Sequence, residues 1–340
     1  EAAWLAGLAF AFAPYRMDQL AHIQVLASFW MPLALMGLHR YYRDEQIRWL
    51  VLFGVSVLMQ GFSNLYFLLF FPVLVVCWVA WFTTGSGRLR KVGAVCCASV
   101  VAMLPMFPVL LRYRQVHEFL GLQRSFSEIG RYSADVAGLF SASSHLVAWG
   151  WLDWFSQPEG QLFPGITLIL VIGWFVWRAY TRSRETEVKG RRVFRIALTV
   201  ATVGVFVGSM WWLLVGSRKL EWLGLQIGMS EPADVVVLTV VACIITFCFH
   251  PVTVAVFRRR SVFAFYLFAG LALTSLAFGP NPTMMGTSVI SHAPYLGLMQ
   301  LPGFDGIRVP ARFWMLALVC LSPAIGIACS NLLTVHSRRN

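Results

Sequence analysis

The stretch YFLLFFPVLVVCWVAWF, residues 66–82, has no charged side chain and is long enough to cross the hydrocarbon layer of a bilayer as one helix. Similar apolar stretches recur along the chain, separated by short polar breaks. The composition agrees, since 58% of the residues are hydrophobic and 12% are charged, against roughly 25% charged residues in an ordinary soluble domain. A water-soluble globule cannot bury that much apolar surface, so the sequence predicts an integral membrane protein.

Working outward from residues 66–82, we predict an all-α, polytopic helical bundle of about nine to ten spans that forms a single membrane domain over residues 1–340. The predicted apolar cores are residues 25–38, 49–60, 66–82, 92–111, 162–180, 193–215, 235–257, 262–278 and 313–335. Residues 1–13 are apolar but supply only about half a span. We interpret them as a truncated first span, with a cleaved signal peptide as the alternative.

The basic residues predict the orientation, because cytoplasmic loops of membrane proteins retain Lys and Arg. Eighteen of the 27 fall into groups that the predicted spans place on one side, namely residues 40–48, 88–91, 178–195, 258–260 and 338–339. The net charge of +12 is therefore interpreted as a topology signal, and a nucleic-acid partner is not expected. The other side carries three longer segments, residues 14–24, 112–161 and 280–312, so we expect the active face there, outward.

The first outer segment is dense in polar side chains, among them Asp18 and His22. If it is helical, these two lie four residues apart on one face, which suits joint handling of a metal or phosphate, or a proton relay. The alternative is an interfacial loop whose polar groups meet water and lipid headgroups.

The second outer segment, residues 112–161, is far longer than a usual connection between helices. Trp149, Trp151 and Trp154 are typical of an interfacial aromatic belt, and apolar residues around 119–139 predict one or two amphipathic helices on the membrane surface. Its charged residues, Glu159 among them, are individually more typical of a solvated loop than of a catalytic site.

The third outer segment ends in LPGFDGIRVPARFW, residues 301–314, just before the last predicted span. Arg308 and Arg312 are four residues apart there, and guanidinium groups bind phosphate oxygens in a bidentate manner. A phosphate clamp is one interpretation. The other is that both side chains snorkel to the headgroups of ordinary lipids.

The motifs of several enzyme and transport classes are absent from the sequence. It contains no GxxxxGK[ST] of an ATP-driven pump, no HExxH of a metalloprotease and no GxSxG of a hydrolase. Ionisable residues are also nearly missing from the predicted spans, which disfavours an ion-coupled transporter.

Five blocks of the sequence together resemble those of large bacterial membrane proteins grouped with the GT-C-fold glycosyltransferases. The blocks are FAPYRMDQLAHIQVLASFWMPLAL (12–35), QGFSNLYFLLFFP (60–72), RYSADVAGLF (131–140), PEGQLFPG (158–165) and LPGFDGIRVPARFW (301–314). The resemblance implies a GT-C-like enzyme of the bacterial inner membrane. Such an enzyme moves a sugar from a polyprenyl-phosphate carrier to an acceptor on the outer face of the membrane.

The resemblance also implies roles for individual residues. The principal catalytic Asp is expected in an outer loop upstream of this chain, so Asp18 and His22 are only supporting candidates. His22, Arg308 and Arg312 would bind the donor phosphate, while Arg131, Tyr132 and Asp135 would lie on the loop that closes over the acceptor. No cofactor is certain, although a divalent metal is compatible with the family, and its ligands are unknown.

Two other classes of function remain open on the sequence. A transporter or flippase for a lipid or glycan would also need a multi-span body with an outer vestibule, although the inverted repeats common in such proteins are not visible. A membrane scaffold subunit would need no site at all.

Overall fold

The computed structural model describes most of the chain. The described residues are 1–121, 124–183, 196–197, 199–205, 207–208, 220–222, 225–227, 242–243, 245–246, 250–290, 293–304 and 306–337. Helices make up 73% of the structure and strands 2%, which agrees with the predicted all-α fold.

Most of the described residues lie in α-helices. In chain order they are α1 (Ala2–Ala11), α2 (Pro14–Asp18), α3 (Ile23–Leu26), α4 (Trp30–Asp44), α5 (Ile47–Ser63), α6 (Leu65–Phe82), α7 (Arg88–Met103), α8 (Phe107–Phe119), α9 (Phe126–Arg131), α10 (Ile166–Ser183), α11 (Pro251–Arg258), α12 (Val262–Ala277), α13 (Pro294–Leu298) and α14 (Phe313–Ser337). Turns of 3-10 helix lie at Gln19–Ala21, Leu104–Met106, Val136–Phe140, Gly150–Leu152 and Pro310–Arg312. Two antiparallel hairpins pair β1 (Leu220–Trp222) with β2 (Leu225–Ile227) and β3 (Thr283–Met284) with β4 (Thr287–Ser288).

Three helical stretches of the described chain are long and apolar enough to cross a membrane. They are Leu65–Phe82, Arg88–Phe119 and Pro310–Asn331, and the shorter helices Ile47–Ser63, Ile166–Ala179 and Val262–Ala277 are apolar as well. Large apolar side chains such as Val51, Val76 and Leu89 stand exposed on the outside of these helices. Soluble monomers seldom expose so much contiguous apolar surface, so these are the features of a membrane protein.

Six of the nine predicted apolar cores coincide with these helices, five of them to within four residues, while the stretch that contains 92–111 continues to Phe119. The core predicted at 25–38 is wrong at its start, because α4 begins only at Trp30. The Gln60 and Asn64 side chains donate hydrogen bonds to the carbonyls of Ala27 and Gln24, which stabilises a break between α3 and α4. The cores predicted at 193–215 and 235–257 lie largely outside the described residues, so the number of spans stays a prediction.

Helix α14 occupies the core of the bundle. Each side chain from Phe313 to Cys320 is at most 2% exposed, and the helix packs against α1, α10 and α12. A Cβ atom on Gly270 of α12 would lie 2.9 Å from Leu321 Cδ2, and one on Gly326 would lie 2.9 Å from the Ala2 carbonyl oxygen. Glycine therefore lets α12 and α1 approach α14 closely, as small residues do between membrane helices.

Three of the basic groups that the sequence predicts on one side, at residues 40–48, 88–91 and 258–260, lie at one end of the bundle, here called the basic end. Glu45, at the turn between α4 and α5, forms ion pairs with Arg90 and Lys91 at the start of α7. After α11, the Arg260 guanidinium lies 5.5 Å from the ring centroid of Trp81, near the end of α6. Residues 40–48, 88–91 and 258–260 therefore share one end, as the charge pattern predicts.

The long outer segment begins later than predicted and contains less helix. Helix α8 continues to Phe119, supported by an Arg114–Glu118 ion pair of 2.7 Å between residues four apart. The amphipathic helices predicted around 119–139 amount to the six-residue α9 and one 3-10 turn. Ser125 caps α9 and Asp135 caps the turn, so the segment contains two short, separately capped pieces.

Candidate functional site

The candidate site lies at the end of α6 and α14 opposite the basic end, here called the site end. Asn64 breaks the chain between α5 and α6 with extended backbone angles, and its side-chain oxygen accepts a hydrogen bond of 2.8 Å from the Tyr66 amide. The Asn64 amide group simultaneously donates to the Gln24 carbonyl at 2.8 Å. This side chain thus starts α6 and ties the first outer segment beside Tyr66.

A buried ion pair forms the centre of the site. Arg312 donates from Nε and Nη2 to the two carboxylate oxygens of Glu159, at 2.7 and 2.6 Å, and the two side chains are only 5% and 10% exposed. The Arg312 guanidinium also lies 4.6 Å from the ring centroid of Tyr66. This geometry holds Arg312 in a bidentate pair and balances its charge inside the protein.

Glu159 reaches Arg312 from a tight turn with strained backbone. Its φ angle is +59°, which is uncommon for a residue other than glycine. The turn packs so closely on the preceding loop that a Cβ atom at Gly138 would lie 2.0 Å from the Gly160 carbonyl oxygen. The Leu162 amide then donates to the Gly138 carbonyl at 2.8 Å. Position 138 therefore requires glycine, and the turn is fixed in space.

Tyr15 lies buried beside this ion pair. Its side chain is 1% exposed, and its hydroxyl has no hydrogen-bond partner among the described residues. Burial raises the pKa of the Tyr15 hydroxyl, and the negative charges of Glu159 and Asp18 raise it further, so it keeps its proton. Tyr15 therefore offers a neutral donor next to Arg312.

Arg308 differs sharply from Arg312 although both stand in one sequence block. Its side chain is half-buried, and its guanidinium lies 4.6 Å from the ring centroid of Tyr132. Among the described residues it has no ion-pair partner, and its buried Nε has no hydrogen-bond acceptor. Arg308 is thus a cation without a counterion in the described part of the site.

Further polar groups surround Tyr66. The positive charges of Arg312, Arg308 and Arg124 and the negative charge of Glu159 all act on its hydroxyl. Arg124 forms an ion pair of 3.2 Å with Glu128, and both side chains are about 30% exposed. The Tyr295 hydroxyl is buried and, within the described chain, also lacks a partner. Positive charge and unsatisfied hydroxyl groups therefore meet at one place, an arrangement that suits an anionic ligand.

The first outer segment is helical but not continuous, which corrects the expected pairing of Asp18 and His22 on one helical face. Helix α2 ends at Asp18, a 3-10 turn follows, and His22 has non-helical angles of −121° and 70°. The negative charge of Asp18 contributes to the raised pKa of Tyr15. The His22 Nδ1 atom, in contrast, is buried and has no hydrogen-bond partner in the described structure. Arg16 fixes the segment by donating to the Leu26 carbonyl at 3.0 Å and to Ser28 Oγ.

The three residues predicted on the acceptor loop have different surroundings. Arg131 is exposed at the end of α9, and Tyr132 supports Arg308. The fully buried Asp135 carboxylate accepts from the Ala137 amide and from three groups of the β3–β4 hairpin. The hairpin donors are Thr283 Oγ1 and the amides of Met285 and Gly286, at 2.7–3.0 Å. Asp135 therefore joins the hairpin to the loop.

The described part of the chain contains no group of three or more His, Cys, Asp or Glu side chains that could hold a metal ion. In the sequence Glu159 is one of several charges in a loop, and nothing there predicts Arg312 as its partner. The sequence Pro158-Glu159-Gly160 indicates a turn. The ion pair, however, joins positions 153 residues apart, and the spacing of neighbouring residues does not reveal such a pair.

The comparisons with known proteins place the chain in a family. A family model described as a domain of unknown function, DUF6311, matches residues 1–222, well over half of the chain. The chain belongs to the DUF6311 family. No curated protein and no solved structure matches it. The part that matches DUF6311 includes Tyr15, Tyr66 and Glu159, while Arg308 and Arg312 lie beyond it.

Proposed function

We propose that this DUF6311 protein is a GT-C-like membrane glycosyltransferase. It moves a sugar from a polyprenyl-phosphate carrier to an acceptor at the outer face of the bacterial inner membrane, which it spans about nine to ten times. The observation that carries the proposal is Arg308, a half-buried guanidinium at the end of an apolar helix bundle whose described contacts leave its charge unbalanced. A cation in such a place favours an anion that arrives from the lipid phase.

The two arginines have separate roles in this proposal. Arg308 binds the phosphate of the carrier, because phosphate oxygens accept hydrogen bonds from guanidinium groups and the Tyr132 ring holds this one in place. Arg312 stays with Glu159 and supports Tyr66. When the bond between sugar and phosphate breaks, negative charge grows on the phosphate, and Arg308 stabilises the product of that step.

The surrounding groups suit the rest of the substrate. Asp18 and His22 lie on the segment that is tied beside Tyr66, where they assist at the donor, while Arg131 reaches the acceptor. The isoprenoid chain lies against exposed apolar faces of the helices. Since the bilayer already solvates such a chain, the headgroup contacts determine which lipid binds.

Binding of a long-chain polyprenyl monophosphate to the full chain in lipid nanodiscs tests the assignment of Arg308. We expect Arg308→Ala to weaken binding about 10- to 100-fold, since a hydrogen bond to a charged group contributes about 1.5–3 kcal/mol and 1.4 kcal/mol corresponds to tenfold. Arg308→Lys should lose less, because it keeps the charge. Arg112→Ala is the control, since Arg112 is exposed and contacts Gln115. If Arg308→Ala and Arg112→Ala bind the polyprenyl monophosphate with equal affinity, Arg308 does not bind the phosphate.

Turnover distinguishes transfer from transport. The same nanodiscs receive a panel of polyprenyl-phosphate hexoses together with candidate hydroxyl acceptors to which the sugar can be transferred, and release of free polyprenyl phosphate is measured by mass spectrometry. Release that depends on Arg308 supports a transferase. In proteoliposomes, movement of the intact hexose lipid across the bilayer without release would replace the transferase proposal with a flippase.

A further inference from the structure

Residues 140–154 form a loop at the site end with large apolar side chains on its surface. Val147 is fully exposed, Trp151 is 71% exposed and Trp154 is 51% exposed. The sequence has no Lys, Arg or Glu within the loop. An exposed apolar surface of this kind marks a contact with a membrane or with another protein.

The two exposed indole rings carry no free polar group. Trp151 Nε1 donates to the Ala148 carbonyl at 3.0 Å, and Trp154 Nε1 donates to the Phe140 carbonyl at 2.8 Å. An interfacial Trp usually keeps its N–H for water or a headgroup. Because both N–H groups are satisfied inside the loop, these rings can enter hydrocarbon without losing a hydrogen bond.

Asp153 and His145 are exposed polar side chains of the loop, so they stay at the level of the lipid headgroups. The Asp153 carboxylate accepts from Gln161 Nε2 at 2.7 Å, and His145 Nδ1 lies 3.0 Å from Ser143 Oγ. The loop is rigid, since a Cβ atom on Gly150 would lie 2.8 Å from the Ser144 carbonyl oxygen. The loop therefore has a fixed shape before it meets any partner.

The loop is continuous with the apolar surface of the bundle. Trp149 contacts Phe163 with ring centroids 5.2 Å apart, and α10 begins three residues later at Ile166. Ile169 and Leu170 on that helix are exposed as well. This continuity identifies the contact as one with the lipid that surrounds α10.

We propose that residues 140–154 are a preformed membrane-insertion loop, with Val147 and Trp151 in contact with the acyl chains of the leaflet at the site end. Insertion has a consequence for the candidate site. Gln161 contacts the loop and stands two residues after Glu159, so the inserted loop fixes the depth of the Glu159–Arg312 pair in the membrane. The proposal does not depend on glycosyl transfer.

A spin label at the tip of the loop tests the depth. Val147→Cys is labelled in a full chain whose seven native cysteines are replaced by alanine, and the protein is reconstituted in nanodiscs. Power-saturation EPR then compares collisions with oxygen, which concentrates in acyl chains, and with a water-soluble nickel chelate. We expect oxygen to dominate at position 147 and nickel to dominate at Ser127→Cys, an exposed position on α9.

The other outcomes overturn the proposal. Nickel accessibility at 147 equal to that at 127 would place the loop in water. Protection from both reagents would mean that a protein partner or a second copy covers the loop. If the cysteine-free chain fails to fold, brominated-chain lipids replace the label in the native background. The Trp151→Phe/Trp154→Phe variant should then lose tryptophan fluorescence that these lipids quench, and unchanged quenching would contradict insertion.

Discussion

Replacing Glu159 with Gln tests whether the buried ion pair holds the site together. The change keeps the shape of the side chain but leaves the charge of Arg312 unbalanced in a place that is only 5% exposed. The structure shows two charge-assisted hydrogen bonds, of 2.7 and 2.6 Å, and each contributes about 1.5–3 kcal/mol. Removing one member of a buried pair costs about 3–5 kcal/mol, so both routes give a similar loss.

Thermal unfolding followed by tryptophan fluorescence in detergent measures this loss. The entropy of unfolding is about 2.1 cal/mol/K per residue, so 1 kcal/mol shifts Tm by about 1.4 °C in this chain, and we expect Glu159→Gln to lower Tm by about 4–7 °C. Glu118→Gln is the matched control, since Glu118 forms an ion pair with Arg114 but is 62% exposed. Water screens that surface pair, so its loss should change Tm far less.

The double variant Glu159→Gln/Arg312→Gln makes the prediction sharper. Removing both charges also removes the unbalanced one, so the double variant should be more stable than Glu159→Gln alone. The reasoning fails if Glu159→Gln shifts Tm no more than Glu118→Gln does. It also fails if the double variant is the less stable of the two.

Two further predictions concern buried polar groups that lie away from the arginines. Asp135→Asn should lower the free energy of unfolding by about 1–3 kcal/mol, because an amide nitrogen replaces an acceptor oxygen and leaves the Gly286 N–H without a partner. Hydrogen exchange at the β3–β4 hairpin should increase, and unchanged exchange would contradict the prediction. His39→Phe should cost a similar amount, since His39 Nε2 accepts from Trp78 Nε1 at 3.1 Å and lies 2.9 Å from the Tyr266 hydroxyl. Tm measures the second change, and a value within 1 °C of the unmodified protein, about the precision of the assay, would contradict it.

The helices were largely predictable from the sequence because their cause is local. A run of apolar residues such as 66–82 must satisfy its backbone hydrogen bonds internally in a bilayer, and a helix does so by itself. The boundaries were less predictable, since α3 and α4 separate where Gln60 and Asn64 bond the intervening carbonyls from another helix. A side chain more than 30 positions away determines that break.

The polar contacts were the least predictable part of the structure. The importance of Arg308 and Arg312 follows from their type and spacing, but Glu159 gains its role only when the turn at 157–160 is brought to α14. His39 was overlooked for the same reason, because its partners Trp78 and Tyr266 lie on two other helices. Pairings over such distances depend on the packing of the whole bundle.

The different surroundings of the two arginines also explain how Arg308 can lack a counterion among the described residues. Two unbalanced guanidinium groups four residues apart, both near an apolar bundle, would repel each other and each would carry a desolvation cost. The Glu159 carboxylate cancels the charge of Arg312, and the Tyr132 ring offers Arg308 a favourable face. One net positive charge then remains for a ligand to neutralise. If Arg308 binds the carrier phosphate as proposed, Glu159 contributes to that binding without touching the phosphate, because it neutralises Arg312.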